Sequence, residues 1–186
     1  MASLDGRPLC AWRTGTLTHR ISTIQLPFPG FDELRADART EGYRFIDRLA
    51  DDWESGANRF DAPGETLCGC AENGLLVAVG GLNRDPFADC ADTGRIRRVY
   101  VRPNFRRQGI GRALVAALID QGRGRFQILR LRTDNAGAAR LYEQLGFEPV
   151  EEERVTHILR FHAAADRMRG PKPPHRIVQR AKTYSP

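Results

Sequence analysis

The sequence predicts a mixed α/β fold of the α+β kind, a mostly antiparallel sheet flanked by helices. Three observations carry that expectation. Apolar runs on both sides of Glu72-Asn73-Gly74 read as a β-hairpin, the local signature of antiparallel pairing. An apolar strand ending at Pro103 leads through a basic turn into a helix that opens on Gly109 and Gly111. A second strand and helix follow, Phe126 to Leu131 and Ala136 to Leu145, before a final pair of strands.

In chain order, Thr16 to Leu26 places Thr18, Ile21, Thr23 and Ile24 in rough alternation and stops at Pro27-Phe28-Pro29-Gly30, so it reads as a first strand. Asp32 is then the expected helix N-cap. Phe31, Leu34, Tyr43, Phe45, Ile46, Leu49 and Trp53 form a helical stripe to about Glu54 that breaks near Gly42, predicting one bent helix or two short ones. Residues 55–64 are a loop by composition. Thr66 to Ala71 and Leu75 to Leu82 make the hairpin, Asn83 to Thr93 is a polar turn, and Arg95 to Val101 is the next strand. The helix from Gly109 to Gln121 buries Ile110, Leu114, Val115, Ala117 and Leu118 and ends at Gly122. Gly146 stops the second short helix, and Phe147 to Val150 and Val155 to Phe161 close the order β-α-β-β-β-α-β-α-β-β.

A chain of 186 residues suits one domain with its own core, expected over residues 1–162. Residues 163–186, with Pro171, Pro173 and Pro174, read as a C-terminal extension outside it. That extension holds six basic residues against Asp166, so it carries +5 of the formal +6, and nucleic-acid contact is expected through it alone. No apolar run approaches the ~20 residues that span a bilayer, and Asp5, Arg7 and Arg13 break any signal-peptide core. A cytoplasmic protein without a membrane partner is expected. Oligomeric state is open, a homodimer included.

Cys10, Cys68, Cys70 and Cys90 form no C-x-x-C pair, and they read as reduced thiols. His157 and His162 are placed by strand alternation on opposite faces, so no metal site is expected.

Residues 99–112, Val-Tyr-Val-Arg-Pro-Asn-Phe-Arg-Arg-Gln-Gly-Ile-Gly-Arg, carry the chemistry. Free backbone N–H groups at a helix start bear the positive end of the helix dipole and can converge on a phosphate where glycine removes obstruction. Arg106, Arg107 and Arg112 add charge to the same mouth. A P-loop would need a lysine, and none precedes Lys172. A dinucleotide fingerprint would need a third small residue where Leu114 stands. A basic loop that merely caps a helix stays open on these glycines alone.

The second segment narrows the choice. Arg106 to Gly111 fits the pattern [QR]-x-x-G-x-[GA], and Asn135 to Phe147 fits N-x-x-A-x-x-L-Y-x-x-x-G-F. The ordered pair resembles the Gcn5-related N-acetyltransferase (GNAT) family, over about residues 65–161. The resemblance implies the GNAT fold, in which the strands before and after the cradle helix are parallel and splay apart, with acetyl-CoA in the gap. It implies that backbone groups of Val99, Tyr100 and Val101 hold the pantetheine. The motif residues Arg106, Arg107, Gln108, Gly109, Ile110, Gly111 and Arg112 would hold the diphosphate, and Asn135 would cap its helix and touch the cofactor. Tyr142 would protonate the departing thiolate, since a phenol of reference pKa ~10 arrives protonated.

The implied activity is N-acetyl transfer from acetyl-CoA to a primary amine by direct attack, with the acceptor unspecified. Two rivals are a non-catalytic CoA-binding module and an acetyltransferase brought to RNA-bound or protein substrates by its tail. Many members of the family carry a Glu on the strand before the cradle; here Arg95 stands at that place. A water relay, Glu65, Asp92 or the Asp51-Asp52-Trp53-Glu54 run are the remaining candidates for the base. Trp53 to Glu65 matches the usual acceptor wall, so Trp53, Phe60 and Asp61 are candidate acceptor contacts, with Trp53 and Phe60 as anchors of a loop to the core as the alternative.

Overall fold

A computed structural model describes residues 19–161. The strands are β1 (Ile21–Thr23), β2 (Thr66–Glu72), β3 (Leu75–Arg84), β4 (Thr93–Val101), β5 (Ile128–Leu131), β6 (Glu148–Glu152) and β7 (Val155–Arg160). The helices are α1 (Phe31–Thr40), α2 (Phe45–Ser55), α3 (Ile110–Gly122) and α4 (Ala136–Gln144), with a short 3-10 turn at Pro103–Phe105. All seven strands join one sheet in the order β1-β2-β3-β4-β5-β7-β6. Every pairing is antiparallel except β4 with β5, which is parallel.

The element order matches the sequence expectation, and the differences have local causes. Of the two alternatives for the first helical stretch, two short helices form, because the chain turns at Gly42, where Gly42 and Tyr43 donate to the carbonyls of Arg39 and Ala38. The N-cap of α1 is Gly30 rather than Asp32, which lies in its first turn. The expected turn over 83–93 is shorter, since β3 and β4 keep pairing through Asn83↔Arg95 and Arg84↔Gly94. The first strand retains three residues, opposite Cys68 to Cys70, and the stretch before His19 lies outside the described residues. The extension at 163–186 lies outside them too. No described helix is long and apolar enough to cross a membrane.

Each face of the sheet has its own core. Ile110, Leu114 and Leu118 of α3 pack with Ile96, Leu129, Leu131, Tyr142 and Phe147 on one face. Leu34 of α1 and Ile46 and Leu49 of α2 pack with Leu67, Leu76, Val79 and Tyr100 on the other. Full burial of each such aliphatic side chain is worth about 1.5–3 kcal/mol, so these stripes hold the helices to the sheet far more strongly than helix propensity does.

Two irregularities lie in β4. Gly81 pairs with Arg97 and Val79 with Tyr100, so three steps on β4 face two on β3, a bulge centred on Arg98 at φ 61. The parallel register with β5 runs Thr93↔Ile128, Gly94↔Leu129, Arg95↔Arg130 and then ends. Beyond Arg95 the two strands part, as the splayed pair expected from the family pattern requires.

Phe60 tests how tightly this region is packed. Its ring seats over Gly81, where an added Cβ would fall 2.1 Å from a ring carbon. Gly81→Ala is therefore expected to destabilise the fold by about 1–3 kcal/mol through overpacking, read as a lower urea midpoint at unchanged slope.

Candidate functional site

The opening between β4 and β5 leaves the β5-side edge of residues 96–101 without a strand neighbour. Val99 and Val101 pack against the α3/α4 core, and Tyr100 is buried in the opposite one. Their side chains thus anchor the strand to both layers while the edge stays available to an extended ligand with amide groups. The β4 bulge takes Arg98 out of the β3 ladder as well.

At its far end β4 enters the cradle. Pro103–Phe105 winds into a 3-10 turn, Arg107 takes φ 62 and Gly109 takes φ 87, and α3 begins with no side-chain cap. Ala113 N–H already reaches the Gly109 carbonyl, which leaves the amides of Ile110, Gly111 and Arg112 as the unbonded first turn of the helix. Left-handed residues just before a helix start form a concave nest of N–H groups suited to phosphate. Arg107 and Arg112 are exposed beside it.

Arg106 and Gln108 serve the loop differently. The Arg106 guanidinium forks onto Glu41 at the end of α1, with Nη1 to Oε1 at 2.6 Å, while its Nε donates to the Val101 carbonyl at 2.8 Å. It also lies 5.4 Å from the Tyr100 ring centroid, and the Tyr100 hydroxyl donates to the same Glu41 carboxylate at 2.6 Å. The Arg106 amide bonds the Pro103 carbonyl. Both parts of Arg106 thus brace the loop. The Gln108 carbonyl receives His19 Nε2 at 2.6 Å, and its side-chain amide donates to Asn104.

The α4 motif sits across the gap. Asn135 caps α4, its Oδ1 accepting from the Ala138 amide at 3.0 Å, and its Nδ2 reaches the Tyr43 hydroxyl between α1 and α2 at 3.4 Å. Tyr142 is buried, with edge-to-face contact to Phe147 and a tilted contact to His157. Burial pushes its pKa up to about 12. No described residue hydrogen-bonds its hydroxyl.

Among the candidate bases, Arg95 is a structural clip: it is buried, approaches Asp85 at 3.4 Å, donates to the Arg154 carbonyl at 2.7 Å and lies over Phe87. Glu65 is tied to Asn83 and to the Arg84 amide, and Asp51 is exposed beside Arg35. Asp52 is the one brought to the bulge, 2.9 Å from Arg98. Of the acceptor-wall candidates, Phe60 is a core residue and Trp53 packs partly against the same core, while Asp61 is exposed. Both aromatics anchor this stretch to that core. His157 is buried near Glu143, and His162 lies outside the described residues. The one described group that could hold a metal ion is His19, Cys70 and Glu72, with ligand atoms within 4.8 Å of one another. Sequence spacing did not show it, because His19 reaches Glu72 only through the β1–β2 pairing.

The open edge of β4 thus leads toward an uncapped, arginine-flanked helix start. The profile of the acetyltransferase (GNAT) family matches residues 28–147, and the chain belongs to that family of acyl-CoA-dependent N-acetyltransferases, whose co-substrate is acetyl-CoA. The chain is 34% identical over 93 residues to N-alpha-acetyltransferase RimI of Mycobacterium tuberculosis (strain ATCC 25618 / H37Rv). That match covers 48% of this chain and 56% of the relative, so the chain spans little more than half the relative's length. The crystal structure of a proposed acetyltransferase from Exiguobacterium sp. 255-15 superposes with TM-score 0.71 at 28% identity, covering 82% of this chain and all of that one (100%). The fold is shared with yncA, a proposed acetyltransferase of Salmonella typhimurium solved with its cofactor acetyl-CoA, at TM-score 0.52 and 19% identity over 72% of this chain and 91% of that one.

Two expectations follow from this geometry. Gly109→Ala places a Cβ on left-handed backbone at a cost of about 1 kcal/mol. Because the nest must distort to relieve it, acetyl-CoA affinity in a calorimetric titration should fall further than thermal stability does. The second concerns acid. The Arg106 fork, and after it the Tyr100 hydroxyl, hold the Glu41 carboxyl below its usual value against the opposing effect of burial. A carboxyl lowered by folding stabilises the protein above its unfolded value of ~4.3, and that contribution is lost as pH falls through the folded one. Glu41→Gln should therefore flatten the acid side of the stability–pH curve and leave its dependence above pH ~6 unchanged.

Proposed function

We propose that this protein is an N-acetyltransferase that moves the acetyl group of acetyl-CoA directly to a primary amine, with residues 1–162 acting as one catalytic domain in the cytoplasm. The observation that carries the reading is the continuous track formed by the unpaired β4 edge and the uncapped start of α3. Pantetheine amides would bond the backbone of Val99, Tyr100 and Val101 in the manner of an added strand. The diphosphate would sit on the amides around Gly109, Ile110, Gly111 and Arg112, and Asn135 would lie beside the carrier from α4.

In the reaction the neutral amine attacks the thioester carbonyl, a C–N bond forms and the C–S bond breaks. The thiolate takes the Tyr142 proton, the attacking nitrogen loses a proton to water, and a proton from solvent restores the Tyr142 phenol. Burial keeps the Tyr142 phenol protonated at working pH and makes it a weaker acid than a free phenol, so it donates only as negative charge builds on the departing sulfur. Asp52 at the Arg98 bulge is the carboxylate nearest to a proton-relay role, in place of the Glu that Arg95 replaces. The likeness to RimI favours an α-amine as acceptor.

Tyr142→Phe tests the assignment. Turnover, followed by CoA release with a panel of amines, should fall by about 10²-fold or more while acetyl-CoA affinity is retained. Equal turnover would reduce Tyr142 to a packing residue, and tight acetyl-CoA binding with no transfer to any amine would favour a non-catalytic CoA-binding module.

A further inference from the structure

Four arginines gather where β4 loses its neighbour. Arg95, Arg97 and Arg98 lie on β4, and Arg130 is the cross-strand partner of Arg95 on β5. Register fixes their face. Arg97 stands opposite Gly81, whose open side is filled by the Phe60 ring of the α1/α2 core. Arg95 stands opposite Asn83, which bonds Asn58 and Glu65 on that same side, and Arg98 reaches Asp52 of α2.

The carboxylates around them do not balance this charge. Asp85 serves Arg95 at 3.4 Å, Asp52 serves Arg98 at 2.9 Å, and Glu152 approaches Arg130 at 3.9 Å. Half-buried Arg97 forms no ion pair among the described residues. Its charged neighbours are Arg98, Arg95 and exposed Arg48, against an Asp52 already engaged; burial first, then the Arg98 charge, lowers its pKa. The Arg98 side chain is only 8% exposed, and its Nε is buried without an acceptor, as is that of Arg130.

Buried guanidinium groups are normally paired, because leaving one without a counterion carries a large desolvation penalty. A planar fork with spare N–H groups matches a carboxylate or a phosphate better than any other partner. The diphosphate of CoA belongs to the opposite end of β4, at Gly109, so it does not fill this place. Arg97 and Arg98 instead immediately precede Val99, beside the acyl end of the carrier in the proposed function. We infer that the acceptor amine also bears an anionic oxygen group, a carboxylate or a phosphate, and that Arg97 and Arg98 seat it in the β4–β5 opening.

The amine part of this inference rests on the acetyl-transfer reading; the anion subsite is testable without it. In the full chain saturated with CoA, so that the cradle is filled, inorganic phosphate and acetate are titrated separately by NMR at low ionic strength. Saturable binding of one or both is expected, weakened on the order of tenfold by Arg97→Gln and partly restored by Arg97→Lys. Which probe binds more tightly distinguishes the two sources of the charge. Arg97 has no carboxylate to orphan, so Arg97→Gln should retain its thermal midpoint, which separates lost binding from lost folding. Absence of saturable binding, or equal affinity in Arg97→Gln, overturns the subsite.

Matched amines then test the acceptor: a carboxylate against its carboxamide, and a phosphate ester against its free alcohol. The anionic member should show a kcat/KM higher by about tenfold or more, and Arg97→Gln should erase that preference. Turnover without preference overturns the inference. Anion binding with no transfer to any amine instead supports the subsite and defeats the acetyl-transfer reading.

Discussion

The structure depends on one interruption: β4 and β5 share a parallel register through Arg95↔Arg130 and then separate. Backbone N–H and C=O groups need partners, so a strand in mid-sheet can give up one neighbour only if other contacts hold it in place. Here β3 continues to pair with β4 as far as Ala78↔Val101. Val99 and Val101 pack into the α3/α4 core while Tyr100 packs into the α1/α2 core, so the unpaired stretch is clamped from both faces. The bulge at Arg98 adds local twist at the point of separation. Arg106 and Glu41 then fix the chain beyond the strand, and α3 starts where the edge ends.

That clamp also determines the electrostatics. The acidic residues nearby are largely engaged in holding parts together: Glu41 on Arg106, Asp37 on Arg102 at 2.6 Å, Asp47 on Arg35 and Arg39, and Asp52 on Arg98. These four carboxylates are therefore compensated by arginines in the folded protein. The residual charge at the opening is positive, and it comes from residues of the strand itself.

The fold was legible because its signals are local. Hairpin turn chemistry, the glycine-marked helix start and the stripe of α3 each lie within a few residues, and the two spaced motifs supplied the parallel crossover. Legibility ended where topology brings distant residues together. The Tyr100–Glu41 bond spans 59 residues, Arg106–Glu41 spans 65 and Asn135–Tyr43 spans 92, so no spacing rule points to Glu41 or Tyr43. Along the chain Phe60 could be an acceptor contact or a loop anchor, and it is buried because the absence of a side chain at Gly81 makes room for its ring. Arg95 was visible as a departure from the family pattern, but its role as a clip needed Asp85 and Arg154 to be placed beside it.

The chemistry of the two core cysteines is consistent with the direct transfer proposed above. Cys68 and Cys70 are buried, burial raises the Cys68 thiol, and burial with the nearby Glu72 charge pushes Cys70 up to about 11. A thiol held that far above its ordinary value offers almost no thiolate near neutrality, which argues against an acyl intermediate on Cys70. Of the groups proposed above, Tyr142 belongs to the α3/α4 core and the Arg97–Arg98 pair to the α1/α2 side of the sheet. The opening between β4 and β5 lies between those faces. An acyl carrier lying in it would meet the acceptor from one side and its proton donor from the other, so attack and departure need no rotation of the thioester between two separate stations.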